Sequence, residues 1–125
     1  MIDALLIFFG AGLGGVSRYW VSNGIYWLMG RQFPYGTLVV NATGCFLVGL
    51  MFVLILERLN DMGQQLRLLL LVGFLGGYTT FSSFTIETLN LYESGNWLGA
   101  GLNVLLSMVI CIFLTWLGMS WIRQY

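Results

Sequence analysis

Residues 73–87 read Gly73-Phe74-Leu75-Gly76-Gly77-Tyr78-Thr79-Thr80-Phe81-Ser82-Ser83-Phe84-Thr85-Ile86-Glu87. They sit inside an apolar stretch, about 66–91, that exceeds the roughly 20 residues a helix needs to cross a bilayer. Two adjacent glycines followed by two threonines have low helix propensity. Backbone that leaves the helix at membrane depth is tolerated only where it is buried in protein or lines a cavity. The stretch therefore predicts a membrane helix broken near the bilayer midplane. A break of this kind frees carbonyls, and the half-helix before it ends in partial negative charge, which is how transporters build cation sites. The same glycines also suit a close crossing by another helix. Spacing alone leaves both readings open.

Three more spans flank this one, at about 4–29, 37–56 and 97–122. Of the 125 residues 58% are hydrophobic and 8% charged, where soluble domains carry about 25% charged residues. So few charges cannot cover a water-facing surface. The chain reads as an all-α membrane protein, a single four-helix transmembrane domain over residues 1–125 with no soluble part. The separators are Gly30-Arg31-Gln32-Phe33-Pro34, with the only proline, then the polar stretch from Glu57 to Gln65, then Glu93-Ser94-Gly95-Asn96. Proline cannot continue a helix but can open one. Tyr26, Trp27, Tyr92, Trp97, Trp121 and Tyr125 fall near span ends, as an aromatic belt requires. Net charge is zero and lysine is absent, so no basic patch invites nucleic acid. Histidine, the commonest metal ligand and general base, is absent too. Cys45 and Cys111 lie in apolar stretches and read as buried small hydrophobes, without a disulfide framework or zinc site. Met1-Ile2-Asp3 lacks the positive start of a cleavable signal, so the first span is expected to stay in the mature protein.

Four spans put both termini on one side of the bilayer. That side has Arg58, Arg67 and Arg123, the other has Arg31, and Arg18 lies within the first span. The bias is a weak instruction under the positive-inside rule, and a chain so balanced can insert both ways up. An antiparallel, dual-topology homodimer is the expectation. Four helices are also too few to enclose a wide pore, so a pathway would be built against a partner chain. Gly10 with Gly14, Gly73 with Gly77 and Gly95 with Gly99 form small-xxx-small pairs, suited to packing within the chain or between chains.

Helical spacing beyond the break places Thr80, Ser83, Phe84 and Glu87 on one face, with Phe81 flanking it and paired to Phe84. Hydroxyls donate hydrogen bonds and aromatic edges carry partial positive charge, so the stripe suits a small anion. Equally, phenylalanines at this spacing serve ordinary packing, and the hydroxyls can bond their own backbone. The second span offers Thr37, Asn41 and Cys45 four apart; the fourth offers Asn103, Ser107 and Cys111. The Asn41 amide must find a partner in hydrocarbon, either an anion or another helix. Three polar stripes predict a narrow hydrated track. Arg18 and Glu87 are costly inside spans, about 2.5–3.5 kcal/mol each near a helix centre on insertion scales. Arg18 either concentrates anions at a vestibule or snorkels to head groups. Glu87, seven residues past Thr80, is expected protonated or hydrogen-bonded to neighbouring hydroxyls, since a bare carboxylate would repel an anion.

Taken together, Gly-Gly-Tyr-Thr-Thr-Phe-Ser-Ser-Phe at 76–84, Asn-Ala-Thr-Gly at 41–44 and Gly-Gly-Val-Ser-Arg at 14–18 resemble the Fluc (CrcB-type) fluoride channels of bacteria, over essentially all 125 residues. The third-span motif on four short spans is the specific part; Asn-x-x-Gly alone is weak. Where that family usually has Thr-Thr-Phe-Ser-Thr-Phe, this chain has Ser83, which keeps the hydroxyl. The resemblance implies a multi-pass protein of the bacterial inner membrane, an antiparallel dual-topology homodimer that exports fluoride passively through two pores and rejects chloride. It implies a structural sodium ion on the two-fold axis, held by the carbonyls of Gly76 and Thr79. It makes Phe81 and Phe84 the facing rings, Asn41 the pore amide and Ser83 the pore hydroxyl. Ser107 joins that path by its spacing only. Thr80, Glu87 and Arg18 complete the candidate residues.

A small multidrug exporter is also a four-span dual-topology dimer, but it needs a proton-coupling glutamate in the first span. Here that span carries Arg18, with Asp3 only at its start. A non-transporting assembly subunit is a third possibility. No nucleophile–base pair is recognisable, so no enzyme is expected.

Overall fold

Pro34, the chain's only proline, stands directly before the second helix, where its missing N–H costs nothing. Punctuation of this kind divides the chain into long helices. The computed structural model describes residues 1–59 and 61–125, all helix and turn with no strand among them. The helices are α1 (Ile2–Met29), α2 (Tyr35–Arg58), α3 (63–78), α4 (Phe81–Glu93) and α5 (Trp97–Gln124). Four helical runs, Ile2–Met29, Tyr35–Arg58, Gly63–Glu93 and Trp97–Gln124, are long and apolar enough to cross a membrane. A 28-residue helix such as α1 or α5 is about 42 Å long at 1.5 Å per residue. Each helix thus runs past its apolar stretch into the head-group region or tilts within the bilayer. Through Leu54–Arg58 and Arg67–Leu75 the hydrogen bonding widens to the i→i+5 π pattern.

α1 ends at Gly30, whose N–H returns to the Tyr26 carbonyl at 2.8 Å. Between α4 and α5 the chain turns at Gly95, with φ 87°, a conformation that glycine adopts without strain. Asn96 then caps α5, its Oδ1 accepting from the Gly99 N–H at 2.9 Å. Within the chain, Gly95 and Gly99 therefore do not serve as a packing pair. Gly95 meets nothing, and Gly99 leaves room for the capping amide of Asn96.

The other two glycine pairs meet each other. A Cβ on Gly14 would collide with the Phe74 carbonyl, and one on Gly77 with the Ala11 carbonyl; Gly73 would press on the Gly10 Cα at 3.0 Å. α1 and α3 thus cross backbone to backbone, the within-chain use of these pairs. A second close crossing joins α2 and α5, with Gly49 against the backbone of Thr115 and Gly118 against that of Phe46. At one end of this pair Arg123 bonds Glu57 at 2.8 Å and Arg58 donates to the Ile122 carbonyl at 2.7 Å. Few large apolar side chains are buried: Val40, Val53, Ile55, Leu75, Tyr78 and Phe84 form the core. Phe8, Phe9, Leu105 and Ile112 lie outside, as hydrocarbon permits and water would not. Two residues of the third run leave the helix. Thr79 (φ −80°, ψ 155°) and Thr80 (φ −148°, ψ 116°) are extended, and they separate α3 from α4.

Candidate functional site

The extended pair is held from two sides. Asn41 on α2 bonds the Thr80 backbone twice, donating from Nδ2 to its carbonyl at 2.9 Å and accepting its N–H at 2.7 Å. Thr80 in turn caps α4, its hydroxyl accepting from the Ser83 N–H at 3.1 Å. Asn41 is thus a helix-to-helix tie, and one N–H of its amide is left over for another acceptor. The interruption leaves the carbonyls of residues 76 to 79 without their helical donors, those of Gly76 and Thr79 among them. The Thr80 N–H would return to Gly76 in a continuous helix, and the Ser83 N–H to Thr79. Backbone oxygens freed in this way are the donors a hard cation takes. The Thr79 oxygen also receives the Arg18 guanidinium, at 3.5 Å. Within the single chain Arg18 thus reaches toward the interruption.

The candidate residues divide between two cavities with Thr80 on the wall of both. The first, about 230 Å³, is lined by Asn41, Thr80, Phe81, Phe84 and Ser107, with Cys45 and Cys111. Phe81 and Phe84 lie 5.4 Å apart with rings tilted at 43°. Phe84 is buried, whereas Phe81 is 68% exposed on the single chain. The second cavity, about 340 Å³, brings together Arg18, Thr80, Ser83 and Glu87 with Tyr26 and Thr37. Ser83 therefore does not join the two phenylalanines; the turn of α4 carries it to the other face.

Glu87 receives two hydroxyls: Thr37 donates to Oε1 at 2.8 Å and Tyr26 to Oε2 at 3.2 Å. Hydrogen bonding to hydroxyls, one of its two expected states, is what the structure shows. Tyr26 had read only as a belt aromatic, yet its phenol points inward. No residue spacing could reveal that, because the partner lies 61 positions away. Arg31 stacks over the Tyr26 ring at 4.8 Å from the centroid, at a polar opening of about 380 Å³ shared with Glu87, Asn90 and Ser94. On α5, Asn103 is 2% exposed; its amide donates to the Thr88 hydroxyl at 2.8 Å and its Oδ1 accepts from Ser107 at 3.5 Å. A further tie missed in the sequence joins the Thr43 and Tyr78 hydroxyls at 2.9 Å. Cys45 and Cys111 are half-buried free thiols rather than fully buried ones.

Four apolar spans enclosing a few hydrogen-bonded polar clusters, with their outer faces apolar, define a small multi-pass membrane protein. Residues 5–119 match the family described as "CrcB-like protein, Camphor Resistance (CrcB)". The chain belongs to the CrcB family. It is 61% identical over 123 residues to the "Fluoride-specific ion channel FluC" of Coxiella burnetii (strain Dugway 5J108-111), covering 98% of this chain and 99% of that one. The protein of the same description from Geobacter sulfurreducens is 51% identical over 116 residues, 93% of this chain and 92% of that one. The one from Methylococcus capsulatus is 49% identical over 117 residues, 94% of this chain but 51% of the longer relative.

Proposed function

We propose that this protein is a fluoride-selective channel that lets cytoplasmic fluoride leave the cell passively. It would work as an antiparallel homodimer in the bacterial inner membrane, with two pores at the subunit interface. The observation that carries the reading is the cavity walled by Asn41, Thr80, Phe81, Phe84 and Ser107. It supplies hydroxyl and amide donors and ring edges, and no carboxylate or fixed cation. The names of relatives up to 61% identical over nearly the whole chain point the same way. Fluoride holds its water strongly, so a narrow path must replace those contacts. Hydroxyls and the spare N–H of Asn41 replace some, and ring edges add weak positive potential that does not trap the ion. Chloride is larger and is rejected by tightness. Ser83 and Arg18, in the second cavity, would serve the vestibule leading to this constriction, with Glu87 quieted by its two hydroxyls.

Phe81 stands exposed beside the Thr79–Thr80 interruption, which we place near the bilayer midplane. A second copy laid antiparallel over this face would cover the ring and complete the wall of each pore. In that arrangement Gly76 and Thr79 of both chains would hold a structural sodium ion by their freed carbonyls, and the long contact from Arg18 to Thr79 would have to yield. When bound, the ion supplies positive charge that lowers the cost of bringing an anion nearby into low dielectric.

Purified protein in liposomes, loaded with fluoride or with chloride, tests the reading. Rapid fluoride release with chloride retained is expected. Equal release of both, or of neither, overturns it.

A further inference from the structure

The polar stripe of α5 meets α2 at two cysteines for which the proposed path has no use. Cys45 and Cys111 are free and half-buried, and both line the cavity of about 230 Å³. One stands on α2 and the other on α5, and both open onto that one space. The backbones that carry them are pinned: Gly49 and Gly118 bring α2 and α5 into contact, and the Thr115 hydroxyl bridges the carbonyls of Cys45 at 3.1 Å and Cys111 at 3.0 Å. Met108, three residues before Cys111 on the same face of α5, places a thioether on the same wall. Three sulfur-bearing residues thus line one small space whose other walls are apolar groups, hydroxyls and an amide. Sulfur donors select soft metals, and two thiols on the wall of one small cavity suit an ion that favours two ligands.

We propose that Cys45 and Cys111, with Met108 beside them, form a binding site for a soft d10 metal ion of the class of Hg(II), Ag(I) and Cu(I). With Hg(II), two S–H bonds break, two S–Hg bonds form and both protons leave to solvent, with no change of oxidation state. The product carries no net charge, so an apolar cavity can hold it without the cost of a bare ion. A silver or copper(I) ion reaches the same neutrality by displacing one proton and taking the second sulfur as a neutral donor. The site shares its cavity with Asn41, Phe81, Phe84 and Ser107. If the channel reading holds, an ion bound there blocks fluoride.

Titrating the full-length protein in detergent with HgCl2, while following the thiolate-to-mercury absorption band, tests the site. One mercury per chain, with both thiols lost to a thiol reagent, is the expected result. Cys45→Ser and Cys111→Ser should each weaken retention against a competing monothiol by roughly a hundredfold, the usual gain from holding a second ligand at high effective concentration. Gel filtration and thermal unfolding of both variants confirm that they fold. Two mercury ions per chain, or serine variants that hold mercury as tightly as wild type, overturn the site. In liposomes, mercury should stop fluoride efflux in wild type and lose that effect when Cys45→Ser and Cys111→Ser are combined. A one-to-one chelate with undiminished fluoride efflux upholds the metal site and moves the fluoride path out of this cavity. No efflux even before mercury, with the chelate intact, upholds the site and sinks the channel reading alone.

Discussion

Asn41 gives one N–H and its carbonyl to the backbone of Thr80, so its first duty is structural. Replacing it with leucine strands a donor and an acceptor inside the bundle. We expect a loss of about 1–3 kcal/mol of stability for such unsatisfied groups, read as a lower unfolding temperature in detergent. Tyr26→Phe should cost a similar amount, because it takes one hydroxyl from Glu87. Tyr19→Phe, on the same helix but 66% exposed, is the control and should change nothing. The two rings are different in kind. Phe81→Ile and Phe84→Ile keep apolar bulk but remove the ring edge, so fluoride flux should fall by roughly tenfold or more, about 1.4 kcal/mol in barrier, while assembly persists. Wild-type flux from both correctly assembled variants would make the rings packing and the path wrong.

At the scale of the elements, α1 and α3 have exchanged side chains for closeness. Gly10, Gly14, Gly73 and Gly77 let two backbones touch, whereas Gly12 and Gly15 of the same helix α1 meet no atom within 4 Å. Gly14→Ala must therefore push the helices apart and should destabilise the protein. Gly12→Ala should gain up to about 1 kcal/mol, the helix propensity difference between the two residues. Equal effects of the two substitutions on thermal unfolding would show that the crossing is not tight. The interruption at Thr79 and Thr80 is likewise an element with a defined cause. Asn41 takes one N–H and the Thr80 hydroxyl takes another, so the helix restarts with a cap three residues before Ser83.

For the molecule as a whole, the proposed dimer makes both orientations occur in one membrane. Gln32→Cys, placed in the exposed turn before α2 in a Cys45→Ala, Cys111→Ala background, should be labelled by an impermeant reagent from either side. Labelling from one side only would remove dual topology. The proposed sodium is tested separately: activity and dimer stability should both fall when sodium is replaced by a large organic cation. A dimer indifferent to the exchange would overturn the sodium site and leave the Thr79 carbonyl to Arg18.

Length, apolar runs and punctuation already determined the four helices and the membrane setting, and the polar residues within spans named the candidates for a site. These are properties of local composition and period, and they survive without knowing which helix touches which. The partners did not. That Asn41 binds Thr80, that Tyr26 and Thr37 converge on Glu87, and that Ser83 turns away from Phe81 and Phe84 follow from how α1, α2 and α4 are rotated about their axes. Those rotations are set by contacts between residues 39 to 66 positions apart, chiefly the glycine crossing of α1 on α3 and the Asn41 tie. Gly95 and Gly99 show the converse: a spacing that looks like packing became, within the chain, a turn at positive φ and a place for the capping amide of Asn96. A period places a residue on a face, but only the packed bundle decides what that face sees.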